Sequence, residues 1–357
     1  MRLAGPSPAE AEKFRTLLLE WFAANKRDLP WRRTHQPYRV WVSEIMLQQT
    51  RVNAVLGHYE RFIDSFPTLV SLALAKEDDV LAAWSGLGYY RRARMLYYAA
   101  QFILREHGGL LPRTAEELRR LPGIGVYTAA AIASIAFDEP VAVIDGNVLR
   151  VLTRLFAITG ITGVALDELI RDHAAALLDA SQPGNFNQAM MELGATVCTP
   201  KSPECSACPV RPLCATRGEH VTAPRAKMRS MNQAIALMRR ITPRSQSVGL
   251  VQRGANESLM PGMWELPLLP EEMVADRQPV LMVRHSITTT NYYVSVYEVT
   301  QSDMNEHIRQ QSTRIKWVQA HKLEDLPLTG LARKILTRLE IMKAAARRSL
   351  AEARERP

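Results

Sequence analysis

All four cysteines of this 357-residue chain lie in one short segment, "VCTPKSPECSACPVRPLC", at residues 197–214. Their spacing is Cys198-x6-Cys205-x2-Cys208-x5-Cys214. Disulfide bonds are not expected in the reducing interior of a cell. Four thiolates this close can bind one zinc ion or hold a four-iron, four-sulfur cluster. A zinc ribbon usually has two CxxC pairs and a ferredoxin has a tighter run, so the spacing predicts a metal site without naming the metal.

The composition is that of a folded protein with a basic surface. Hydrophobic residues make up 47% and charged residues 23%, and the net charge of +9 lies mostly after residue 220. A basic excess suggests a polyanionic partner. The most apolar segment, Val126 to Phe137, is too short to cross a membrane and predicts a buried helix. The N-terminal stretch has acidic residues and no apolar run, so no secretory signal is expected.

The chain divides by texture into helical and strand-rich parts. Apolar residues recur every three or four positions from Pro8 to about Leu178, as in "FRTLLLEWF", which predicts helices. Later runs such as "NYYVSVYEV" alternate apolar and polar residues and predict strands, before helix returns at 331–350. The expected organisation is a helical domain at 8–216 that includes a cysteine loop at 198–214, a linker at 217–231, an α+β domain at 232–345 and a basic tail at 346–357.

The segment "LPGIGVYTAAAIAS" at 121–134 predicts a turn that exposes backbone N–H groups. Gly123 and Gly125 permit a tight turn, and the apolar helix after them would place its positive dipole end beside it. Such an arrangement binds an anion without reading a base, which suits a DNA phosphate. Taken alone, the same pattern would also fit a plain turn between two helices.

Two carboxylates stand out in otherwise apolar surroundings. Glu44 lies in "VWVSEIMLQQTRV", where an unpaired buried carboxylate would take up a proton or find a partner. Asp145 lies in "VAVIDGNVLRVLTR", after a β-branched stretch and before a predicted helix, where it would serve as an N-cap. Ion pairing and capping are the ordinary explanations for these residues, and capping is compatible with a catalytic role.

The cysteine spacing and the Leu-Pro-Gly-x-Gly turn resemble the endonuclease III superfamily of DNA glycosylases. Combined with "WVSEIMLQQTRV", "SGLGYYRRARML", "VIDGNVLRVLTR" and "MELGATVC", they resemble the adenine DNA glycosylases of the MutY family, from about residue 14 to 214. The resemblance implies a mostly α fold with a helix-hairpin-helix domain and an iron-sulfur cluster loop. It also implies a structural 4Fe-4S cluster and, from "LMPGMWELPLLPEE", an α+β Nudix-like C-terminal domain.

The implied function is base excision repair by an adenine DNA glycosylase that acts on adenine mispaired with 8-oxoguanine or guanine. Breaking the adenine–deoxyribose bond needs an acid for the leaving base and negative charge beside the developing sugar cation. By resemblance, Glu44 protonates adenine N7 and Asp145 stabilises the cation. Tyr127 and Asn147 match residues that support this carboxylate.

The resemblance also implies residues that contact DNA. The expected adenine pocket comprises Trp31, Arg32, Leu47 and Glu192. Gln49 and Tyr89 are expected to enter the duplex around the opposite base, and Gly123 and Gly125 to meet phosphate. Arg91, Arg92 and Arg94 are expected to face phosphate or solvent. Trp31, Leu47 and Tyr89 would fit equally well as core residues.

Tyr127 indicates which kind of glycosylase this would be. Bifunctional relatives carry a lysine two residues after the second glycine of the turn, and its amine attacks the sugar. Tyr127 occupies that position here, which predicts a monofunctional enzyme. Two alternatives stay open: an endonuclease III-like lyase on oxidised pyrimidines, and a non-catalytic protein that binds damaged DNA.

The C-terminal domain departs from the family at the hairpin that recognises 8-oxoguanine. The family commonly reads Arg-His-Thr-Phe-Ser-His, and this chain has Ile287, Thr288 and Thr289 at the last three positions. Ile287 lacks an aromatic face for stacking and Thr289 lacks an imidazole, so lesion recognition is expected to be weaker, relocated or altered. The expected partner is double-stranded DNA with A:8-oxoguanine or A:G pairs, bound by a cytoplasmic monomer (nucleoid-associated in a bacterium) with no membrane partner.

Overall fold

The computed structural model describes residues 5–218, 228–243, 245–254, 256–257, 259–287, 289–304 and 314–342. Its first half is helical, as the sequence predicts. The helices are α1 Pro8–Asn25, α2 Pro37–Leu47, α3 Val52–Ser65, α4 Leu69–Ala73, α5 Glu77–Trp84, α6 Arg91–Glu106, α7 Ala115–Leu118, α8 Val126–Phe137, α9 Gly146–Leu155, α10 Val164–Leu177 and α11 Pro183–Thr196. No helix in these ranges is long and apolar enough to cross a membrane.

Helix α8 is the centre of the helical half. Its residues from Thr128 to Ile135 are all buried, which confirms the predicted buried helix. It packs against α2 on one side and α11 on the other. Small side chains such as those of Ala129 and Ala133 permit this close approach on more than one face. Helix α8 therefore fixes the spacing between α2 and α11.

Helix α11 depends on two glycines for its position. A Cβ atom on Gly184 would lie 2.7 Å from the backbone oxygen of Ser134 and 2.9 Å from Cα of Ile135, both on α8. A Cβ atom on Gly194 would lie 2.6 Å from Cβ of Asn147 on α9. Neither position has room for a side chain unless a neighbouring helix shifts.

The second half contains two small sheets. Its strands are β1 Arg229–Leu237, β2 Arg239–Thr242, β3 Ser245–Gln252, β4 Trp264–Glu265, β5 Leu268–Leu269, β6 Leu281–Ile287, β7 Thr290–Glu298 and β8 Lys316–Gln319. One sheet has the order β5-β1-β7-β6, with β1 and β7 parallel. In the other, β3 pairs antiparallel with β2, β4 and β8. Helix α12, Gly330–Arg338, packs its apolar side on the core between them.

The predicted strands agree with β1, β3, β6 and β7, and the predicted C-terminal helix is too long. Helix α12 ends at Arg338, not within residues 339–350. Glu340 has a left-handed backbone (φ 57°), which an α-helix cannot continue through. The predicted basic tail at 346–357 and most of the predicted linker lie outside the described residues.

The two halves are joined through buried side chains and backbone carbonyls. Met263 is fully buried within the hydrophobic core of the helical half. The Leu328 carbonyl accepts hydrogen bonds from the Ser85 hydroxyl at 2.8 Å and the Tyr90 hydroxyl at 2.9 Å. Arg333 Nε in turn donates to Ser85 Oγ at 2.8 Å. These contacts fix the strand-rich half against the loop between α5 and α6.

We expect Gly184→Ala to lower the free energy of unfolding by about 1–3 kcal/mol, because the added methyl group overpacks the α8–α11 contact. Urea or thermal denaturation measures the loss. Gly146→Ala is the matched control, since a Cβ atom there meets nothing within 4 Å. Gly146→Ala should be neutral or stabilising by up to about 1 kcal/mol. Equal stability of the two variants would show that α11 tolerates a shift.

Candidate active site and cysteine cluster

The Glu44 carboxyl lies inside the helical half, on the face of α2 that meets α8. Its side chain is buried, with the whole residue 5% exposed. The Tyr127 hydroxyl on α8 donates to Glu44 Oε2 at 2.7 Å. Burial raises the pKa of Glu44 to about 7, and nearby Asp145 adds to this, while the Tyr127 hydrogen bond and the Arg32 charge oppose it. Glu44 can therefore hold a proton near neutral pH.

Tyr127 keeps its own proton and acts as a hydrogen-bond donor. Burial, followed by the charge and hydrogen bond of Glu44, raises its pKa well above the usual value. The phenol therefore stays protonated while its hydroxyl contacts Oε2 of Glu44. Since that oxygen accepts a hydrogen bond, the other oxygen, Oε1, is the one suited to carry the acidic proton.

Asp145 caps the N-terminus of α9, as the sequence predicts. Its Oδ1 accepts from the backbone N–H groups of Asn147 at 2.8 Å and Val148 at 2.7 Å. Its Oδ2 accepts from Asn147 Nδ2 at 2.7 Å. Three N–H donors therefore surround the carboxylate, an arrangement suited to an acceptor-only anion. The helix N-terminus adds a favourable dipole.

Arg150 connects Asp145 to the cysteine segment, a role that the sequence did not reveal. Its Nη2 donates to Asn147 Oδ1 at 2.8 Å and to the Gly194 carbonyl at 2.7 Å. Its Nε donates to the Cys198 carbonyl at 2.8 Å. A hydrogen-bonded path thus runs from Cys198 through Arg150 and Asn147 to Asp145.

One open cavity of about 1100 Å³ lies beside these carboxylates. Its lining includes many of the residues predicted for catalysis, the adenine pocket, phosphate binding and duplex entry: Leu47, Gln49, Tyr89, Gly123, Gly125, Tyr127, Asp145 and Asn147. Glu44 does not line the cavity but contacts Tyr127, which does. None of the described residues lining it is a lysine. Arg51, Arg91 and Arg92 add positive charge to its wall. The described lining of the cavity therefore carries one acidic side chain, Asp145, and three arginines.

The other predicted adenine-pocket residues, Trp31, Arg32 and Glu192, are not among the residues that line this cavity. Glu192 on α11 is buried and accepts from Arg27 Nε and Nη2, both at 2.7 Å, and from Arg32 Nη2 at 2.8 Å. Burial would raise its pKa, but the hydrogen bonds and charges of the two arginines lower it to about 2. Trp31 packs edge-on against Tyr59 in the core, with ring centroids 5.3 Å apart.

Arg27 was missed in the sequence because nothing near it in the chain marks a partner 165 residues away. Its two-point contact with Glu192 leaves that carboxylate ionised. Arg32 contacts the same carboxylate and also lowers the pKa of Glu44 by its charge. Arg32 therefore acts on both buried glutamates: it pairs with Glu192, and its charge lowers the pKa of Glu44.

The two candidate wedge residues share an unusual backbone conformation. Gln49 has φ 54° and Tyr89 has φ 50°, and both lie on the cavity wall. A left-handed conformation costs a non-glycine residue about 1–2 kcal/mol. Tyr89 is 46% exposed despite its size. Strain of this kind is commonly kept where a side chain has to be presented for function.

The glycine turn differs at its two glycines. Gly123 has φ +74°, and a Cβ atom on it would lie 2.6 Å from Cβ of Met95, so only glycine fits. Gly125 is the N-cap of α8 and has open space around it. Both line the cavity, at the positive end of a 12-residue helix.

The four cysteines line a second, much smaller cavity of about 30 Å³. Arg154 on α9 donates to Cys198 Sγ at 3.3 Å and to the Thr199 carbonyl at 2.8 Å. Among the described residues, no group of three or more His, Cys, Asp or Glu side chains is arranged to hold a single metal ion. Four thiols around one space are a donor set that either a zinc ion or a four-iron, four-sulfur cluster can use.

Two of the predicted lesion-recognition residues, Ile287 and Thr289, lie at the tip of the β6–β7 hairpin and are not among the residues that line the larger cavity. Ile287 pairs with Thr290 in the last register position, and the Thr289 carbonyl accepts from Arg229 N at 2.9 Å. Thr288 lies outside the described residues. Next to the tip, Ser286 Oγ donates to Oδ1 of the buried Asn291 at 2.6 Å.

Comparison with known proteins agrees with this geometry. Residues 42–173 match the family described as HhH-GPD superfamily base excision DNA repair protein. The chain is 50% identical over 216 residues to the adenine DNA glycosylase of Rattus norvegicus, covering 58% of this chain and 42% of the rat protein. It is 41% identical over 206 residues to that of Buchnera aphidicola subsp. Acyrthosiphon pisum, covering 56% and 58%. The chain thus spans about half the length of the curated relatives it matches.

Solved structures resemble the helical half. A thermostable thymine-DNA glycosylase has a TM-score of 0.55 at 26% identity and covers 59% of this chain and 98% of its own. Endonuclease III, trapped as a covalent intermediate with DNA, has a TM-score of 0.51 at 21% identity, with 59% and 97% coverage, and supports the fold alone. Residues 42–173 therefore match the helix-hairpin-helix (HhH-GPD) superfamily of base excision DNA repair proteins, and the helical half of this chain is similar to the adenine DNA glycosylases.

Proposed function

We propose that this protein is a monofunctional adenine DNA glycosylase that hydrolyses the bond between deoxyribose and adenine mispaired with 8-oxoguanine or guanine. One observation carries the proposal: Glu44, whose pKa burial raises to about 7, contacts Tyr127 and feels the charge of Asp145, and both Tyr127 and Asp145 line the cavity. Glu44 is buried and accepts a single hydrogen bond from a phenol. Asp145 accepts three N–H donors at a helix N-terminus.

These two groups supply what the bond cleavage needs. As the C1′–N9 bond breaks, its electron pair goes to adenine, and the Glu44 proton delivered to N7 neutralises the leaving base. The sugar becomes a cation at C1′, and the Asp145 carboxylate stabilises that charge. Water then adds to C1′ and returns a proton to Glu44, which leaves an abasic sugar and free adenine. Tyr127 holds the acid in place throughout.

Adenine must leave the base stack before Glu44 can reach it. The cavity of about 1100 Å³ is large enough for an extruded nucleoside. Gln49 and Tyr89 at its rim are suited to fill the space that the base leaves. Backbone N–H groups near Gly123 and Gly125, at the α8 N-terminus, are suited to hold phosphate. Glu192, which Arg27 and Arg32 hold in place, is a second buried hydrogen-bond acceptor, and Arg32 links it to Glu44.

The same cavity supports hydrolysis over strand cleavage. A lyase needs an amine that attacks C1′, and none of the described cavity-lining residues is a lysine. Tyr127 occupies the place that the lysine has in bifunctional relatives. Its hydroxyl already contacts Glu44, and its raised pKa makes it a poor nucleophile.

We further propose that Cys198, Cys205, Cys208 and Cys214 bind a 4Fe-4S cluster. The fit rests on four thiols around one space with Arg154 beside Cys198. Within the chain, a bound cluster would fix the loop that Arg150 and Arg154 attach to α9. Its contribution is therefore to the position of α9 and its N-cap Asp145.

We propose a Nudix-like, lesion-recognising role for the strand-rich half. The hairpin tip with Ile287, Thr288 and Thr289 would face the base opposite the adenine. Because these residues lack an aromatic ring and an imidazole, Ser286 and Asn291 beneath the tip are alternative polar contacts for the lesion. The protein would act as a cytoplasmic monomer on double-stranded DNA.

Single-turnover excision tests the function directly. We expect adenine release from duplexes with A:8-oxoguanine and A:G pairs and none above background from A:T. A rate for A:8-oxoguanine above that for A:G would support lesion recognition by the strand-rich half, while equal rates would contradict it. Absence of release from either mispair would refute the glycosylase proposal.

A companion assay separates hydrolysis from lyase chemistry. Borohydride reduction traps a lysine–sugar Schiff base and should give no stable protein–DNA adduct above background with this protein. Endonuclease III on its own substrate is the positive control. Efficient trapping would contradict the monofunctional proposal while leaving adenine recognition in place.

Glu44→Gln should bind mispaired DNA and lose excision, because an amide has no proton to give. In the wild type, the excision rate should fall as the pH rises through about 7, where Glu44 ionises. Asp28→Asn, which removes an exposed carboxylate, is the control and should keep the wild-type pH profile. Normal turnover by Glu44→Gln, or a flat pH profile between about 5 and 9, would refute the assignment.

Glu44→Gln should lose excision but gain stability. The pKa of Glu44 is raised on folding from an ordinary 4.5 to about 7, so wild-type stability is lost as the pH rises through this window. The variant has no such loss. Glu44→Gln should therefore gain on the order of 3 kcal/mol relative to wild type between about pH 4 and pH 8, measured by denaturation.

Metal analysis tests the cluster. We expect iron and acid-labile sulfide in equal amounts, about four of each per chain, and loss of both in Cys205→Ser. Ser206→Ala, in the same loop, should retain both. One zinc per chain would contradict the proposal. Because Arg150 joins the loop to Asn147, Cys205→Ser should also lower the excision rate.

A further inference from the structure

Arg92 lies in the first turn of α6, yet its side chain does not extend freely into solvent as its position in "YYRRARML" suggests. It is partly buried beneath the cavity wall, and its guanidinium makes five hydrogen bonds, all to the protein. Its neighbour Arg91 is exposed on the same wall. The guanidinium of Arg92 is therefore held by the protein and is not free in solvent.

Three of the five bonds close the C-terminal end of α2. Nη1 donates to the carbonyls of Ile45 and Met46, both at 2.9 Å, and to that of Gln48. The last carbonyls of a helix have no partners within it, and a cation placed there also meets the negative end of the dipole. Arg92 thus fixes the backbone that directly follows Glu44 and precedes Gln49.

The other two bonds join this end of α2 to a separate loop. Nη2 donates to Thr50 Oγ1 at 3.0 Å and to the Gly88 carbonyl at 3.2 Å. Thr50 follows Gln49, and Gly88 precedes Tyr89. Arg92 is therefore hydrogen-bonded on both sides of Gln49 and immediately before Tyr89, the two residues held in left-handed conformations.

The guanidinium also contacts aromatic rings. Its central carbon lies 5.4 Å from the centroids of both Tyr89 and Trp84. Trp84 is fully buried, so this contact ties the loop to the core. No carboxylate pairs with Arg92 among the described residues, and burial lowers its pKa to about 10. A buried cation without a counterion is costly, which argues that its position serves more than stability.

We infer that Arg92 is a positioning residue that holds both wedge residues, Gln49 and Tyr89, ready for base extrusion. The inference rests on the proposed glycosylase function and adds a division of labour to it. Arg92 acts on the extrusion of adenine from the stack, whereas Glu44 and Asp145 act on the bond. Replacement of Arg92 should therefore slow excision most when adenine starts paired and stacked in the duplex.

The experiment uses the full-length protein and two DNA substrates. In one duplex adenine faces 8-oxoguanine, and in the other it faces a tetrahydrofuran abasic analogue, so no base pair has to be broken. Arg92→Met should slow single-turnover excision from the first by on the order of tenfold or more, as lost stacking on one or two aromatic or amide wedges predicts. On the second, its rate should stay within about threefold of wild type.

A direct measure of extrusion accompanies the rates. With 2-aminopurine in place of the adenine, fluorescence rises when the base leaves the stack. Wild type and Glu44→Gln should both give this rise, and Arg92→Met should lose most of it. Glu44→Gln should instead lose excision on both adenine substrates, so the two defects are distinguishable.

Three further variants control for folding and charge. Arg105→Met removes a positive charge at the far, exposed end of α6 and should behave as wild type. Arg92→Lys keeps the charge and cannot make all five bonds, so its extrusion should also fall. Thr50→Val removes one acceptor and gives a smaller loss in the same direction, which keeps the test valid if Arg92→Met folds poorly.

The outcomes separate the two proposals. If the wild type releases no adenine from either duplex, the glycosylase function fails and this inference fails with it. If the wild type is active and Arg92→Met or Thr50→Val loses equally on both duplexes, or keeps the full fluorescence rise, Arg92 is structural only and the inference is overturned. Selective loss on the paired substrate supports it.

Discussion

Burial of the Glu44 carboxyl between α2 and α8 is the constraint on which the site depends. In water this group would be ionised at neutral pH, and no chemical change in the side chain is needed to alter that. Helix packing removes it from solvent and leaves one phenol as its hydrogen-bond partner. The small side chains of α8 make that packing possible, so the acid is produced by the same contacts that form the core.

Three partly or fully buried carboxyl groups near the site have three different kinds of partner. Glu44 has no cation against its oxygens, Asp145 is surrounded by N–H dipoles, and Glu192 is held by two guanidinium groups. Burial raises the pKa of Glu44, whereas the two guanidinium groups lower the pKa of Glu192. One functional group, the carboxyl, is thus placed in three different electrostatic environments within one helical bundle.

The sequence predicted much of this because its strongest signals are local. Glycine spacing, the N-cap at Asp145, the apolar α8 and the clustered cysteines can all be read within a few residues. The mostly helical first half and strand-rich second half follow from periodicity and are confirmed by the structure. The short strands β4, β5 and β8 were missed, since two to four residues carry too little pattern.

Arg27 and Arg150 were missed in the sequence, and Arg92 was expected to face phosphate or solvent; all three are arginines whose partners are distant in sequence. Arg27 reaches Glu192, Arg150 reaches Cys198, and Arg92 reaches the end of α2. A surface-like basic residue in a helix gives no hint that it points inward. Only the tertiary packing shows which long cationic side chains are exposed and which are internal braces.

Helix α11 illustrates how closely chemistry and packing are joined here. Gly194 touches Asn147 of the Asp145 cap, and Glu192, two residues earlier, fixes the two arginines near Glu44. Helix α11 thus sets the spacing between the Asp145 cap and the arginines near Glu44, and neither Gly184 nor Gly194 on it has room for a Cβ atom. A shift of α11 would change the spacing between Glu44 and Asp145 before it unfolded the protein. Under the proposed function, a folded relative with a bulkier α11 would bind DNA without excising adenine.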